Sequence, residues 1–224
     1  MNPLPQASLF LGIIPALFIM YISLKGYDDY YKDKIMFITF IAGIFMGFIA
    51  AFVQFYFFGI IIISLILLAI FNQLFKTVIL NIKRFQRKKE TPIYGLSLGL
   101  GFGSSFTPFM IIAASSSKFI PDNIFILSLI GLGSLGIIFF QGATGAYIGY
   151  GIYTGSLLKK FIISVILELP LGFLSMLTIN PDVSSINTQI IFVIITIFYG
   201  FVVFFYIIKN VLTIKKKNKK NVVE

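Results

Sequence analysis

The sequence predicts an all-α protein: a polytopic integral membrane helix bundle of about seven transmembrane helices, N-terminus outside and C-terminus cytoplasmic. Three observations carry that prediction. Of 224 residues, 58% are hydrophobic and only 12% charged, about half the charged share of a soluble domain, and mean hydropathy is +0.98. Apolar runs repeatedly reach the roughly 20 residues needed to cross hydrocarbon, without the alternation that marks barrel strands. Lys and Arg fall almost entirely on one side of those runs.

Taken in order, the first span is Leu9 to Leu24. No basic residue precedes it and Pro3, Pro5 and Pro15 do not suit a cleaved signal, so it is expected to persist as an anchor. The second and third, Ile35 to Phe57 and Ile60 to Ile82, are apolar runs with a few amides and one lysine. The fourth, Ile93 to Ala114, repeats small residues at four-residue spacing. The fifth, Ile124 to Ile152, is long for one crossing and carries seven glycines, which predicts one tilted or kinked helix. The sixth and seventh are Phe161 to Ile179 and Ile190 to Ile208. Residues 1–213 thus form one transmembrane domain, and 214–224, rich in Lys and Asn, are expected to be a disordered basic cytoplasmic tail.

Orientation follows from charge. Lys25, Lys32 and Lys34, then Lys83, Arg84, Arg87, Lys88 and Lys89, then Lys159 and Lys160, and six lysines from Lys209 onward make sixteen of the eighteen basic residues. Short cytoplasmic loops retain such residues, and an odd number of spans is needed to leave the tail among them. At Lys83, Arg84, Arg87, Lys88 and Lys89 the cations also suit anionic lipid head groups, so membrane lipids are expected partners. The same charges already serve topology, so nucleic acid is not expected.

Composition restricts chemistry. The chain has no Cys, no His and eight Asp plus Glu, so zinc and thiolate sites lose their usual ligands and no imidazole is present as a base. Neither a metal nor a cofactor is expected.

Ionisable groups inside a membrane are costly and point to function. Asn72, Gln73 and Lys76 sit three and four residues apart and share a face of the third span. Lys76 and, in the sixth span, Glu168 both lie about 10 to 12 Å in from the basic side and are expected to pair, the alternative being that Lys76 snorkels to the surface and Glu168 finds a hydroxyl. In the fourth and fifth spans, Gly95, Gly99, Gly101, Gly103, Gly145 and Gly149 predict close helix packing.

Three segments together are more specific: Asn72-Gln73-Leu74-Phe75-Lys76, then Gly99 through Gly103 to Phe106-Thr107, then Gln141-Gly142-Ala143-Thr144-Gly145-Ala146-Tyr147-Ile148-Gly149-Tyr150. In order and spacing they resemble the motifs E-E-x-x-K, G-x-G-F-A-x-x-E-N and H-x-x-T-G-x-x-x-G-Y of the PrsW-like intramembrane proteases. That family belongs to the group that includes the CAAX prenyl proteases and the anterior-pharynx-defective subunit of gamma-secretase. The start, from Pro15 through Tyr21 to Asp28, is similar as well, so the resemblance covers most of the chain.

The departures from the family decide the expected function. Asn72 and Gln73 stand where it has two glutamates, Phe106 and Thr107 where it has glutamate and asparagine, and Gln141 where it has histidine; Glu168 aligns poorly with a further histidine. Neutral amides neither bind a metal nor activate water. The resemblance therefore implies a pseudoprotease, not an enzyme, whose vestigial pocket of Asn72, Gln73, Lys76, Phe106, Thr107, Gln141 and Glu168 serves a scaffold, chaperone or binding subunit for another membrane protein or transmembrane segment. One alternative is an active intramembrane protease with a divergent site, using Glu168 and Lys76, with Ser104 or Ser105 as a nucleophile activated by the lysine. Another is a small transporter or channel lined by Lys76 and Glu168. The expected location is the cell membrane of a prokaryote.

Overall fold

In the computed structural model, residues 4–56, 61–106, 108–109, 124–179 and 186–220 are described. They form seven α-helices and one 3-10 turn, with no strand among them. The helices are α1 (Leu4–Leu24), α2 (Asp33–Tyr56), α3 (Ile61–Leu80), α4 (Thr91–Ser104), α5 (Ile124–Thr154), α6 (Leu157–Ile179) and α7 (Ile186–Lys220). Among the described residues, three stretches are long and apolar enough to cross a membrane, Asp33–Gln54, Gly131–Thr154 and Asn187–Leu212, and Ser8–Leu24 and Leu65–Leu80 are shorter apolar helices. Their outward faces carry large apolar side chains, Phe18 and Tyr21 on α1, Phe45 on α2 and Phe198 and Tyr206 on α7, all exposed. Such faces suit hydrocarbon rather than water.

Helix α4 is the centre, with every residue from Thr91 to Ser104 buried. It packs chiefly on α5 and α2, and α5 in turn packs on α7 and α6. Small residues permit the approach: a Cβ on Gly99 would lie 2.0 Å from the Gln141 carbonyl oxygen, and one on Gly145 would lie 2.2 Å from that of Gly95. Gly149 meets Thr91 in the same way, Gly101 meets Phe40 of α2, and Gly103 meets Ile138. Other glycines make equivalent contacts that the spacing did not mark: Gly43 against Leu98 and Gly200 against Gly136.

The fifth span is one unbroken 31-residue helix, as expected. Of the expected fourth span, Ile93 to Ala114, helix α4 accounts for the part up to Ser104, and 107 and 110–114 lie outside the described residues. Helix α7 runs from Ile186 to Lys220, and residues 221–224 lie outside the described residues.

The basic end of the bundle is built from aromatic side chains. Phe85, the buried member of the loop between α3 and α4, packs on Tyr94 with ring centroids 5.7 Å apart, and its carbonyl accepts the Thr91 hydroxyl. The Tyr94 hydroxyl accepts the Lys32 amide at 3.1 Å, which ties the α1–α2 loop to α4. Lys83, Arg84, Arg87, Lys88 and Lys89 are all exposed on this loop, with Arg87 in the left-handed region at φ 56°. Burial pushes the Tyr27 and Tyr31 phenols above their usual value, aided by Tyr30 and by Asp28 respectively. Both therefore add no negative charge to this surface near neutral pH.

Candidate functional site: a buried amide-linked carboxylate

The packing of α3, α5 and α6 brings together six polar side chains from three separate stretches of the sequence. Glu168, 4% exposed, projects from α6, two residues before Pro170. Its Oε1 accepts from Asn72 Nδ2 at 2.7 Å and from Gln141 Nε2 at 2.9 Å, and its Oε2 accepts from Gln73 Nε2. A carboxylate only accepts, so each amide must turn its NH2 group toward it, and the three orientations are fixed. One turn further along α3, the Lys76 ammonium donates to Gln141 Oε1 at 2.6 Å and to Thr144 Oγ1 at 2.7 Å. It also sits 5.5 Å from the centre of the Phe102 ring.

Lys76 and Glu168 were expected to pair, and they are joined through a third residue. Gln141 accepts from the ammonium and donates to the carboxylate, so the two charges are relayed across one amide instead of touching. Lys76 is 1% exposed and does not snorkel to the surface. Isolated charges in this setting cost several kcal/mol each, and the arrangement offsets that with charge-assisted hydrogen bonds. The amides are not fully used: Gln73 Oε1 is buried with no partner.

Beside this cluster is a cavity of about 60 Å³. It runs about two helical turns along α2 from Gly47 to Gln54, along α3 from Leu65 to Asn72, and along α6 from Glu168 to Ser175. Glu168, Asn72 and Gln141 form its polar end; Phe102, Gly103 and Phe106 of the α4 region and Ile137 of α5 close one side. At roughly 15 Å³ per water-sized group, the space admits about four such groups.

Of the residues singled out from sequence, Asn72, Gln73, Lys76, Gln141 and Glu168 meet at one point, and Phe106 lines the adjoining cavity. Thr107 lies outside the described residues. Thr144, Gln54 and Gly172 were not singled out. Thr144 had a signal, three residues after Gln141 on one helix face, and Gln54 had one as an amide inside an apolar span. Gly172 had none.

The chemistry available is limited by these commitments. Lys76 is held by Gln141 and Thr144, while the Ser104 and Ser105 hydroxyls donate to their own helix at Gly101 O (2.7 Å) and Phe102 O (2.8 Å). No serine–lysine pair is assembled among the described residues. No group of three or more His, Cys, Asp or Glu side chains suited to a metal ion occurs among them either. No family model, curated protein or solved structure matches the chain.

Proposed function

We propose that the chain is a membrane-embedded binding subunit without hydrolytic chemistry, a pseudoprotease in the sense of its PrsW-like motifs, which holds a transmembrane segment of another membrane protein. In this reading it crosses a cell membrane about seven times, with the basic end cytoplasmic.

The observation that carries the reading is the saturation of Glu168 by three amides. A carboxylate that already accepts from Asn72, Gln73 and Gln141 is held in place and is a poor candidate for activating water. The same amides stand at the positions where the resemblance expects catalytic glutamate and histidine. What persists is a pocket with apolar walls and a polar end, suited to binding.

The test is purification of the tagged chain from its native membrane in mild detergent, with mass spectrometry of what accompanies it. An intact membrane protein at near one-to-one amounts is expected, lost on Gly172→Leu, which fills the cavity where an added Cβ meets only the flexible Leu65 side chain. Circular dichroism checks that the variant is folded. A partner held equally by Gly172→Leu, or truncated fragments that depend on Lys76, would overturn the proposal.

A further inference from the structure

The opening of the cavity states what kind of group it receives. Its rim is formed by half-buried Gln54, Leu65, Leu68 and Asn72, and the α3 surface beside it is apolar, with Ile66, Leu67, Ile70 and Phe71 exposed. A group that reaches this rim comes through hydrocarbon, not through water. The space of about 60 Å³ is far too small for a helix, whose diameter with side chains is about 10 to 12 Å. It fits one side chain.

Polarity narrows the choice. Asn72 spends its Nδ2 on Glu168, and no donor meets its Oδ1 among the described residues. Gln54 lines the other end of the cavity, with Leu65 and Ser175, about two helical turns away. An unmet acceptor on an otherwise apolar flank is costly in lipid unless a partner satisfies it. The acceptor at Asn72 asks for a donor.

Charge narrows it again. Lys76 and Glu168 already cancel through Gln141, so a charged guest would leave a net charge within the hydrocarbon.

Building on the binding-subunit reading above, we infer that the cavity receives a single uncharged hydrogen-bonding side chain, a carboxamide or hydroxyl, from a transmembrane segment lying against α3 beside Asn72. The segment packs on the exposed flank of α3 while one polar side chain turns inward. Cavity width sets the size of that side chain, and the Asn72 amide at the polar end sets its chemistry.

The test uses the purified full chain in lipid nanodiscs or vesicles and three labelled polyleucine transmembrane peptides, bearing at mid-span one Asn, one Lys, or Leu throughout. Association is read by energy transfer. The Asn peptide is expected to associate about tenfold more tightly than the all-Leu peptide, and the Lys peptide no better than all-Leu. Asn72→Leu should abolish the preference while leaving helix content unchanged, and Gln54→Leu, at the other end of the cavity, should leave it unchanged. Equal association of the Asn and Leu peptides, a stronger hold on the Lys peptide, or a preference that survives Asn72→Leu each overturns the inference. The binding-subunit reading survives any of these, because its own test is the intact native partner and the loss of that partner on Gly172→Leu.

Discussion

Gln141 stands between Lys76 and Glu168, accepting from the ammonium through Oε1 at 2.6 Å and donating to the carboxylate through Nε2 at 2.9 Å. Replacing it with leucine keeps volume and removes both bonds. Each is a buried hydrogen bond to a charged group, so Gln141→Leu should cost about 3 kcal/mol. Denaturant unfolding in detergent measures it, and a loss under about 1 kcal/mol would show that the relay contributes little.

The relay makes a sharper prediction for the two charges themselves. Lys76→Met or Glu168→Gln alone strands the other buried charge and should destabilise by about 3 to 5 kcal/mol. The double substitution should recover most of that loss, because no charge is left unpaired. A double-mutant cycle on unfolding free energies gives the coupling; additive single effects would mean that Lys76 and Glu168 are energetically independent.

Packing of α4 on α5 can be tested at one atom. Gly99→Ala places a Cβ 2.0 Å from the backbone oxygen of Gln141, which forces the helices apart and shifts the residue that joins the two charges. We expect a loss of several kcal/mol, of the order of about 3, as for overpacked cores. Gly131→Ala on the same α5 meets only the Leu11 side chain at 3.9 Å and should be neutral or stabilising by about 0.5 kcal/mol. Melting curves of the two variants in one detergent separate the outcomes, and equal effects would refute the close-approach account.

How much of this was legible in the sequence varies by feature, and the reasons are physical. Apolar run length specifies helices because lipid leaves the backbone no other partner, so α1 to α3 and α5 to α7 follow closely from the text of the chain. Asn72, Gln73 and Lys76 were readable as one face because three- and four-residue spacing is a local property of a helix. That Glu168 meets them was readable only as matching depth, and that Gln141 comes between was not, since no local rule gives the rotation of α5 against α3. Gln54 was overlooked for a related reason. A single amide in an apolar span gains meaning only when a second one, Asn72, is brought to the same cavity. Gly172 lines the same cavity from α6 with no neighbouring pattern in sequence at all.

Introducing carboxylates at Asn72 and Gln73, where the resemblance to PrsW-like motifs would place them, should create no hydrolytic chemistry. Asn72→Glu with Gln73→Glu removes two of the three donors to Glu168 and sets two more negative charges against it. Like charges in a low-dielectric site repel strongly, so the double variant should lose about 3 kcal/mol or more of stability. It should also cleave no transmembrane reporter on co-expression in vesicles. Appearance of a reporter fragment that depends on both glutamates would show that the pocket is a protease site disabled at two positions only.

The basic loop between α3 and α4 gives the last prediction. Lys83, Arg84, Arg87, Lys88 and Lys89 are exposed, and buried Phe85 pins the loop against Tyr94, so the five cations are presented from a fixed base beside the membrane helices. Each cation near an anionic leaflet contributes about 1 kcal/mol, and salt at about 1 M shortens the screening length to about 3 Å. Purification from membranes containing both anionic and zwitterionic phospholipid should therefore retain anionic lipid preferentially. Replacing all five residues with glutamine should abolish that preference, and a high-salt wash should reduce it. Phe85→Ala keeps every charge and loosens the base: undiminished retention would assign the effect to charge alone, and reduced retention would assign part of it to the fixed geometry of the loop. Equal retention of both lipid classes by the unmodified chain would remove the head-group role altogether.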